Sequence, residues 1–356
     1  MALDSTVEEK RASEIGLSQQ QIRELLDKLE HKKRSEAAKK AHATMRKRKI
    51  IRNLTEHYTL DIFIFNRDVR KVSFGEYEIK PPLVKPSKLT YVEKGGVGKE
   101  LSDGWAVNFA IGCIHACPFC YVDNIHKRFT VTRVGDIIQR PWGMYFLKPK
   151  NIDEAIEKTP WRKWRGKVIM MSSTHDPYLP QLYPIPRKIL EKALPAGVKF
   201  LIQTRSVLVI KDFDLLSRYK NQVILQMSIA TLNEKLSEVI EPRAPRPKSR
   251  LEVLRKAKEL GLKVGVIIAP VFPPNKIREN VEEDLDEIMR ELAEIGVDQV
   301  FGEMLHVRGM NMEYLESLLG EKIVVDAEKD YLLGKMFKAL LLKYNLKGKW
   351  WYEYHS

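Results

Sequence analysis

Gly112-Cys113-Ile114-His115-Ala116-Cys117-Pro118-Phe119-Cys120-Tyr121 decides how the remainder of this chain is read, because it carries all three of its cysteines. No other thiol exists to pair with them, and an odd count in one tight loop argues against a disulfide framework. Soft thiolates at C-x-x-x-C-x-x-C spacing favour zinc or an iron–sulfur cluster. A structural zinc is normally closed by a fourth protein ligand, whereas an open position is where metal chemistry happens. Three thiolates leave one metal corner free for a ligand that is not protein. From the loop alone, a zinc site completed by His115 or His126 stays open beside that reading.

The loop follows an apolar segment, 105–111, and further apolar strand candidates lie at 168–171, 200–203, 223–229, 264–269 and 297–301. Helical patterns fall between several of them. One covers 250–260, with Leu251, Leu254, Ala257 and Leu260 on one face. Another covers 280–295, with Val281, Leu285, Ile288, Met289, Leu292 and Ile295. Both follow the helical period and run into glycine, Gly261 and Gly296, as helix C-termini often do. Six strands alternating with helices predict an α/β fold with parallel pairing and right-handed crossovers. A partial (β/α)6 TIM-like barrel accommodates them more naturally than a closed eight-fold one, and a doubly wound open sheet fits the same alternation. In a parallel barrel, chemistry gathers at the C-terminal ends of the strands, which is where the cysteine loop stands.

Around this 105–309 body three further regions are expected: a basic helical arm at 1–52, a strand-and-loop extension at 53–104, and a C-terminal helix with an aromatic tail at 310–356. In the arm, Ser18 caps a helical pattern at 18–31 formed by Ile22, Leu25, Leu26 and Leu29. Residues 31–52 carry ten basic side chains against one acid, Glu36, which is most of the chain's formal charge of +14. Such a run is the electrostatic footprint of a polyphosphate partner such as nucleic acid, although solvated helices carry such runs too. The segment 59–64 reads as a strand and 80–100 as loop. Gly95-Gly96-Val97-Gly98 is not a phosphate loop, since no strand leads into it and no G-K-[ST] follows. A helix is predicted at 331–344, and Trp350-Trp351-Tyr352-Glu353-Tyr354 is expected to pack against the barrel edge in preference to stacking on bases. No apolar run is long enough to span a membrane, and the polar, acidic start lacks a signal-peptide pattern. A cytoplasmic protein with thiols free for metal is the expectation.

The cysteine loop and its place after the first strand resemble the radical S-adenosylmethionine (SAM) superfamily. The set Gly112 to Tyr121, Ser173-Thr174-His175-Asp176-Pro177-Tyr178 and Glu241-Pro242-Arg243-Ala244-Pro245 resembles its spore-photoproduct-lyase-related branch, across residues 105–309. The resemblance implies that Cys113, Cys117 and Cys120 hold a [4Fe-4S] cluster whose remaining iron chelates SAM. An external one-electron reductant would then drive cleavage of SAM to a 5′-deoxyadenosyl radical. It also implies cofactor contacts for Phe119, the aromatic before the third cysteine, and for Ser173, Thr174, Asp176, Arg205 and Ser228 at the ends of strands two to four. These residue types suit SAM. Arg205 can pair with a carboxylate, and short hydroxyls and Asp176 suit an ammonium and a ribose. The Ser-Ser-Thr-x-Asp-Pro segment is also good turn chemistry by itself. Tyr121 matches a tyrosine implicated in radical relay in that branch. Spore photoproduct lyase uses a further cysteine near the end of strand two as hydrogen donor. Ser172, Ser173, Thr174 and His175 stand there in this chain, without a thiol, so strict photoproduct-lyase activity is not expected.

The activity expected is therefore that of a radical SAM enzyme acting on nucleic acid or a nucleic-acid-linked substrate. A zinc-stabilised, non-catalytic nucleic-acid-binding module and a radical SAM modifier of a peptide or metabolite are the alternatives. With no cysteine outside the loop, an auxiliary cluster held by protein thiolates is excluded.

Overall fold

The computed structural model describes residues 72–352 apart from 92, 94–97, 131–133 and 310. The basic arm, the 18–31 helix and the 59–64 strand expected from the sequence lie outside the described residues. Ten strands are described, and those in the middle of the main sheet form where Val, Ile, Leu and Met run together, because a parallel sheet covered on both faces needs apolar side chains on both. They are β1 (Ser73–Tyr77), β2 (Val84–Pro86), β3 (Trp105–Val107), β4 (Tyr145–Pro149), β5 (Val168–Met171), β6 (Lys199–Thr204), β7 (Val223–Ser228), β8 (Lys263–Val271), β9 (Gln299–Met304) and β10 (Gly348–Trp351).

The main sheet runs β2-β3-β5-β6-β7-β8-β9-β10. Every pair from β3 to β10 is parallel, and β2 is antiparallel to β3. Each strand lies beside its predecessor in that sheet. An order that never reverses winds the sheet one way into a barrel wall, whereas a doubly wound sheet reverses at its switch point. The hydrogen-bonded order ends at β2 and β10, so the barrel is open. One apolar layer crosses the sheet through Ala106, Met170, Leu201, Ile267, Phe301 and Trp351, packed with Leu101.

Helices bury their apolar stripes between the strands. In Val281–Ile295 the Asn280 side chain accepts from Glu283 N (3.0 Å), acidic residues fill the first turn, and Gly296 closes the helix in the left-handed conformation. Leu285, Ile288, Met289 and Leu292 are sealed from solvent, each worth about 1.5–3 kcal/mol relative to exposure.

Three features depart from expectation. The first strand stops at Val107, short of residue 111, because Asn108 turns to bond the loop after β5. Trp350 and Trp351 of the aromatic tail lie in a strand: β10 adds a seventh parallel strand beside β9. Trp351 stacks on Phe301 at 5.0 Å, and Trp350 Nε1 donates to Asp330 (2.9 Å). Four residues are too few to show a period. The third departure is that β2 lies in the stretch read as loop, and β1 pairs with β4 in a separate parallel ladder. Ile111 and Leu147 exchange backbone bonds of 3.1 and 2.9 Å, so β4 fixes the chain just before Gly112.

Candidate active site

Gly112 has φ +86°, and a Cβ there would lie 2.5 Å from the Tyr145 carbonyl oxygen, so the turn that delivers Cys113 requires glycine. Its N–H donates to His126 Nε2 (3.3 Å), and His126 Nδ1 meets Thr130 Oγ1 (3.2 Å). Accepting at Nε2 places the neutral ring's proton on Nδ1 and commits His126 to the loop's backbone. Within the loop, Ala116 N–H bonds the Cys113 carbonyl (3.3 Å) and Cys120 N–H the Cys117 carbonyl (3.1 Å). Helix Val122–Phe129 starts directly after Tyr121.

All three cysteines are free and line one cleft, Cys113 and Cys117 buried and Cys120 half-buried. Burial pushes each thiol up to about 12, with Asp176 adding to the rise at Cys113 and Cys117 to that at Cys120. Such a thiol ionises only where a cation takes the proton's place, which is ligand chemistry. Tetrahedral zinc, with bonds of about 2.3 Å to sulfur, needs its donors gathered round a single point. Among the described residues no three His, Cys, Asp or Glu side chains are so gathered. A cuboidal cluster asks only that each thiolate reach its own iron. His126 is already committed. His115 is buried, its Nδ1 3.6 Å from Asp176 Oδ2, and burial lowers its pKa to about 4. Three thiols in one loop fit a three-thiolate cluster with one open iron.

The sulfurs share a cleft of about 610 Å³, open mouth included, with Phe119, Tyr121, Ser173, Thr174, Asp176, Arg205 and Ser228. The residues expected to hold the cluster or contact SAM thus lie in one place: the loop after β3 supplies the thiols, Phe119 and Tyr121, and the C-terminal ends of β5, β6 and β7 supply the others. Their individual geometries differ. Asp176 Oδ1 accepts from Thr204 Oγ1 (2.6 Å) and Tyr178 N (2.9 Å), and its Oδ2 from Arg205 N (2.6 Å). The carboxylate therefore ties the end of β5 to that of β6. Arg205 Nε donates to Glu241 Oε1 (2.7 Å) and Nη2 to the Ala269 carbonyl (3.1 Å), with the guanidinium 5.5 Å from the Phe119 ring centre. Phe119 meets Phe272 edge-on at 5.8 Å. Tyr121 Oη donates to the Ser173 carbonyl (2.6 Å), and burial raises its phenol well above the ordinary value, so it stands as a neutral donor linking the cysteine loop to the β5 loop. Ser228 closes β7 and is buried.

Three residues given no role in the sequence reading complete the frame. Asn108 Oδ1 accepts from Ser173 N (2.9 Å) and Thr174 N (3.2 Å), while its Nδ2 donates to Ser173 Oγ (3.0 Å). A polar residue ending an apolar strand was its signal. Glu241, in the E-P-x-x-P segment, and Arg250 form a fully buried ion pair. Nothing in the sequence separates Arg250 from a surface arginine.

The fold and cleft define an enzyme of the parallel α/β-barrel class, with three thiols gathered in a cleft at the C-terminal ends of its barrel strands. Residues 107–288 match the model of the radical SAM superfamily, and the chain belongs to that superfamily. It is 80% identical over 299 residues to the uncharacterized protein ORF301 of Acidianus two-tailed virus, covering 84% of this chain and 99% of that one. An uncharacterized protein of Methanocaldococcus jannaschii is 28% identical over 171 residues, 48% of this chain and 61% of that protein. Among solved structures, spore photoproduct lyase complexed with dinucleoside spore photoproduct superposes with a TM-score of 0.55 at 17% identity, over 77% of this chain and 80% of that one. A variant of that enzyme with bound AdoMet and the dinucleoside gives 0.55 at 16% identity, over 78% and 81%. These structures share the fold. Membership sets aside the non-catalytic zinc module. The family implies a [4Fe-4S] cluster and SAM, which together supply a carbon-centred radical able to abstract hydrogen. Among the described residues no helix is long and apolar enough to cross a membrane.

Proposed function

We propose that Cys113, Cys117 and Cys120 bind a [4Fe-4S] cluster and that the chain, given an electron by an external donor, cleaves SAM reductively to a 5′-deoxyadenosyl radical. The radical acts on nucleic acid or a nucleic-acid-linked substrate in the cytoplasm. The observation that carries this reading is the convergence of the three thiols with the strand-end residues on one cleft. In it, Arg205 takes the SAM carboxylate, since its Nη1 has no partner among the described residues. Ser173, Thr174 and Ser228 offer hydroxyls to the ammonium and ribose, Phe119 packs beneath Arg205, and Asp176 holds the Arg205 backbone. Tyr121 stands between the cysteine loop and the β5 loop for radical relay. The protein's share is orientation and shielding of a reactive species.

The nucleic-acid part is supported by the dinucleoside bound in the solved spore photoproduct lyase structures and by the basic run at 31–52. The β5 loop has no thiol to return hydrogen, and serine cannot replace one because its O–H bond is much harder to homolyse. This favours a substrate other than the spore photoproduct. Anaerobic reconstitution with iron and sulfide, then reduction with SAM present, should yield 5′-deoxyadenosine; iron-loaded, reduced protein that yields none refutes the reading. Binding of an oligonucleotide should weaken steeply with salt and should fall on deletion of residues 1–52. Flat salt dependence removes the nucleic-acid part alone.

A further inference from the structure

A second inference rests on the assignment of Arg205 to the SAM carboxylate and concerns what holds Arg205 in place. Glu241 and Arg250 have side chains fully sealed from solvent. Burying a charge is costly unless it is paired and hydrogen-bonded, and here nearly every polar atom is spent. Arg250 Nη2 donates to Glu241 Oε2 (2.5 Å) and Nη1 to Glu241 Oε1 (3.0 Å). Its remaining bonds go to backbone: Nη1 to the Ser228 carbonyl (2.7 Å) and Nε to the Pro245 carbonyl (2.9 Å). Glu241 Oε1 then takes the Arg205 Nε bond at 2.7 Å.

The network joins the C-terminal ends of four successive strands. Asp176 follows β5, Arg205 follows β6, Ser228 ends β7 and Ala269 lies in β8, and each meets Arg205 or Arg250. Burial alone would raise the Glu241 carboxyl, but Arg250 and Arg205 outweigh it and hold it below the usual carboxylate range. Two arginines face one glutamate. Arg250 engages both Glu241 oxygens, so Arg205 is anchored by Glu241 without being neutralised by it. A lone Glu241–Arg205 pair would orient the guanidinium and set one opposite charge wholly against it; the added Arg250 keeps the orientation and shares that glutamate between two arginines.

The geometry points to Glu241 and Arg250 as positioning residues for SAM: they act through Arg205, fixing its guanidinium and preserving its charge for the carboxylate. The test is equilibrium binding of radiolabelled SAM to the iron-loaded protein, alongside iron content and thermal unfolding. Glu241→Gln keeps the shape and removes the charge. It should raise the Kd for SAM about tenfold or more, the scale of one charge-assisted hydrogen bond, while iron per chain stays at the parent value. Glu241→Asp keeps the charge and should recover part of that loss. In Arg205→Gln the second substitution should add almost nothing, because Glu241 acts through the side chain already removed. Additive losses, or Glu241→Gln and Glu241→Asp with parental SAM affinity, overturn the inference. Should Glu241→Gln fail to fold, the Glu241→Asp affinity measured with and without Arg205→Gln decides it. If Arg205→Gln itself binds SAM normally, the carboxylate assignment fails instead.

Discussion

Replacement of Gly112 by alanine tests whether the turn before Cys113 shapes the metal loop. At φ +86° an L-residue is strained, about 1–2 kcal/mol in the left-handed region. The new Cβ would lie 2.5 Å from the Tyr145 carbonyl and 3.1 Å from its ring, so the loop or β4 must move; forced repacking of this kind costs about 1–3 kcal/mol. Movement also breaks the bond from Gly112 N–H to His126, about 0.5–1.5 kcal/mol. The sum is roughly 3–6 kcal/mol against a total stability on the order of 5–15 kcal/mol. Gly296→Ala is the control: it has a similar φ of +72° but nothing within 4 Å of its Cβ. It should therefore lose only the backbone term, about 1–2 kcal/mol. Urea unfolding of the cluster-free proteins measures both, and iron per chain after reconstitution reads the effect on Cys113. Gly112→Ala should unfold at much lower urea than the control and retain little iron. Equal midpoints for the two variants, with parental iron in Gly112→Ala, would refute the steric reasoning.

Cys117→Ala should abolish iron binding and 5′-deoxyadenosine formation together; iron retained at the parental ratio would end its ligand role. Asn108→Ala strips the acceptor from two backbone N–H groups of the β5 loop. Because the site is partly open to water, a loss of about 2 kcal/mol is expected, with weaker SAM binding; an unchanged urea midpoint contradicts this. His175 is buried with Nδ1 3.1 Å from Ser172 Oγ, and burial, helped by His126, lowers its pKa to about 3. The unfolded chain takes up that proton first, so stability is full above about pH 6.5 and falls by about 1.4 kcal/mol per pH unit below it. His175→Gln should flatten the stability–pH curve between about pH 6 and 4 relative to the parent, and superimposable slopes would dispose of the assignment.

Much of the barrel was legible because a parallel strand buried on both faces must be written as an unbroken apolar run, and 168–171 and 223–229 match β5 and β7 to within a residue. Helix Val281–Ile295 was legible for a similar reason: its cap, stripe and closing glycine are local signals. The ladder of β1 with β4 and the pairing of β10 with β9 were hidden, since short strands owe their existence to distant partners. The same holds within the site. The cysteines, Ser173, Asp176 and Arg205 announced themselves by residue type at strand ends. Asp176, however, is bonded to Thr204, Tyr178 and Arg205 and braces the cleft, a role its neighbours in sequence do not reveal.

By itself the sequence determined the chemistry available: three thiols in one loop, none elsewhere, and apolar runs that alternate with helices as buried parallel strands do. Spacing along the chain is enough for that, because ligand type and strand burial are properties of short segments. Only the tertiary structure decided which charges are spent on the scaffold and which face the cleft. Glu241 and Arg250 lie nine positions apart on one segment, and Arg205 reaches them from another strand thirty-six positions away. Whether a buried guanidinium is neutralised or left with its charge depends on how many partners converge on it in space, and no local pattern carries that count.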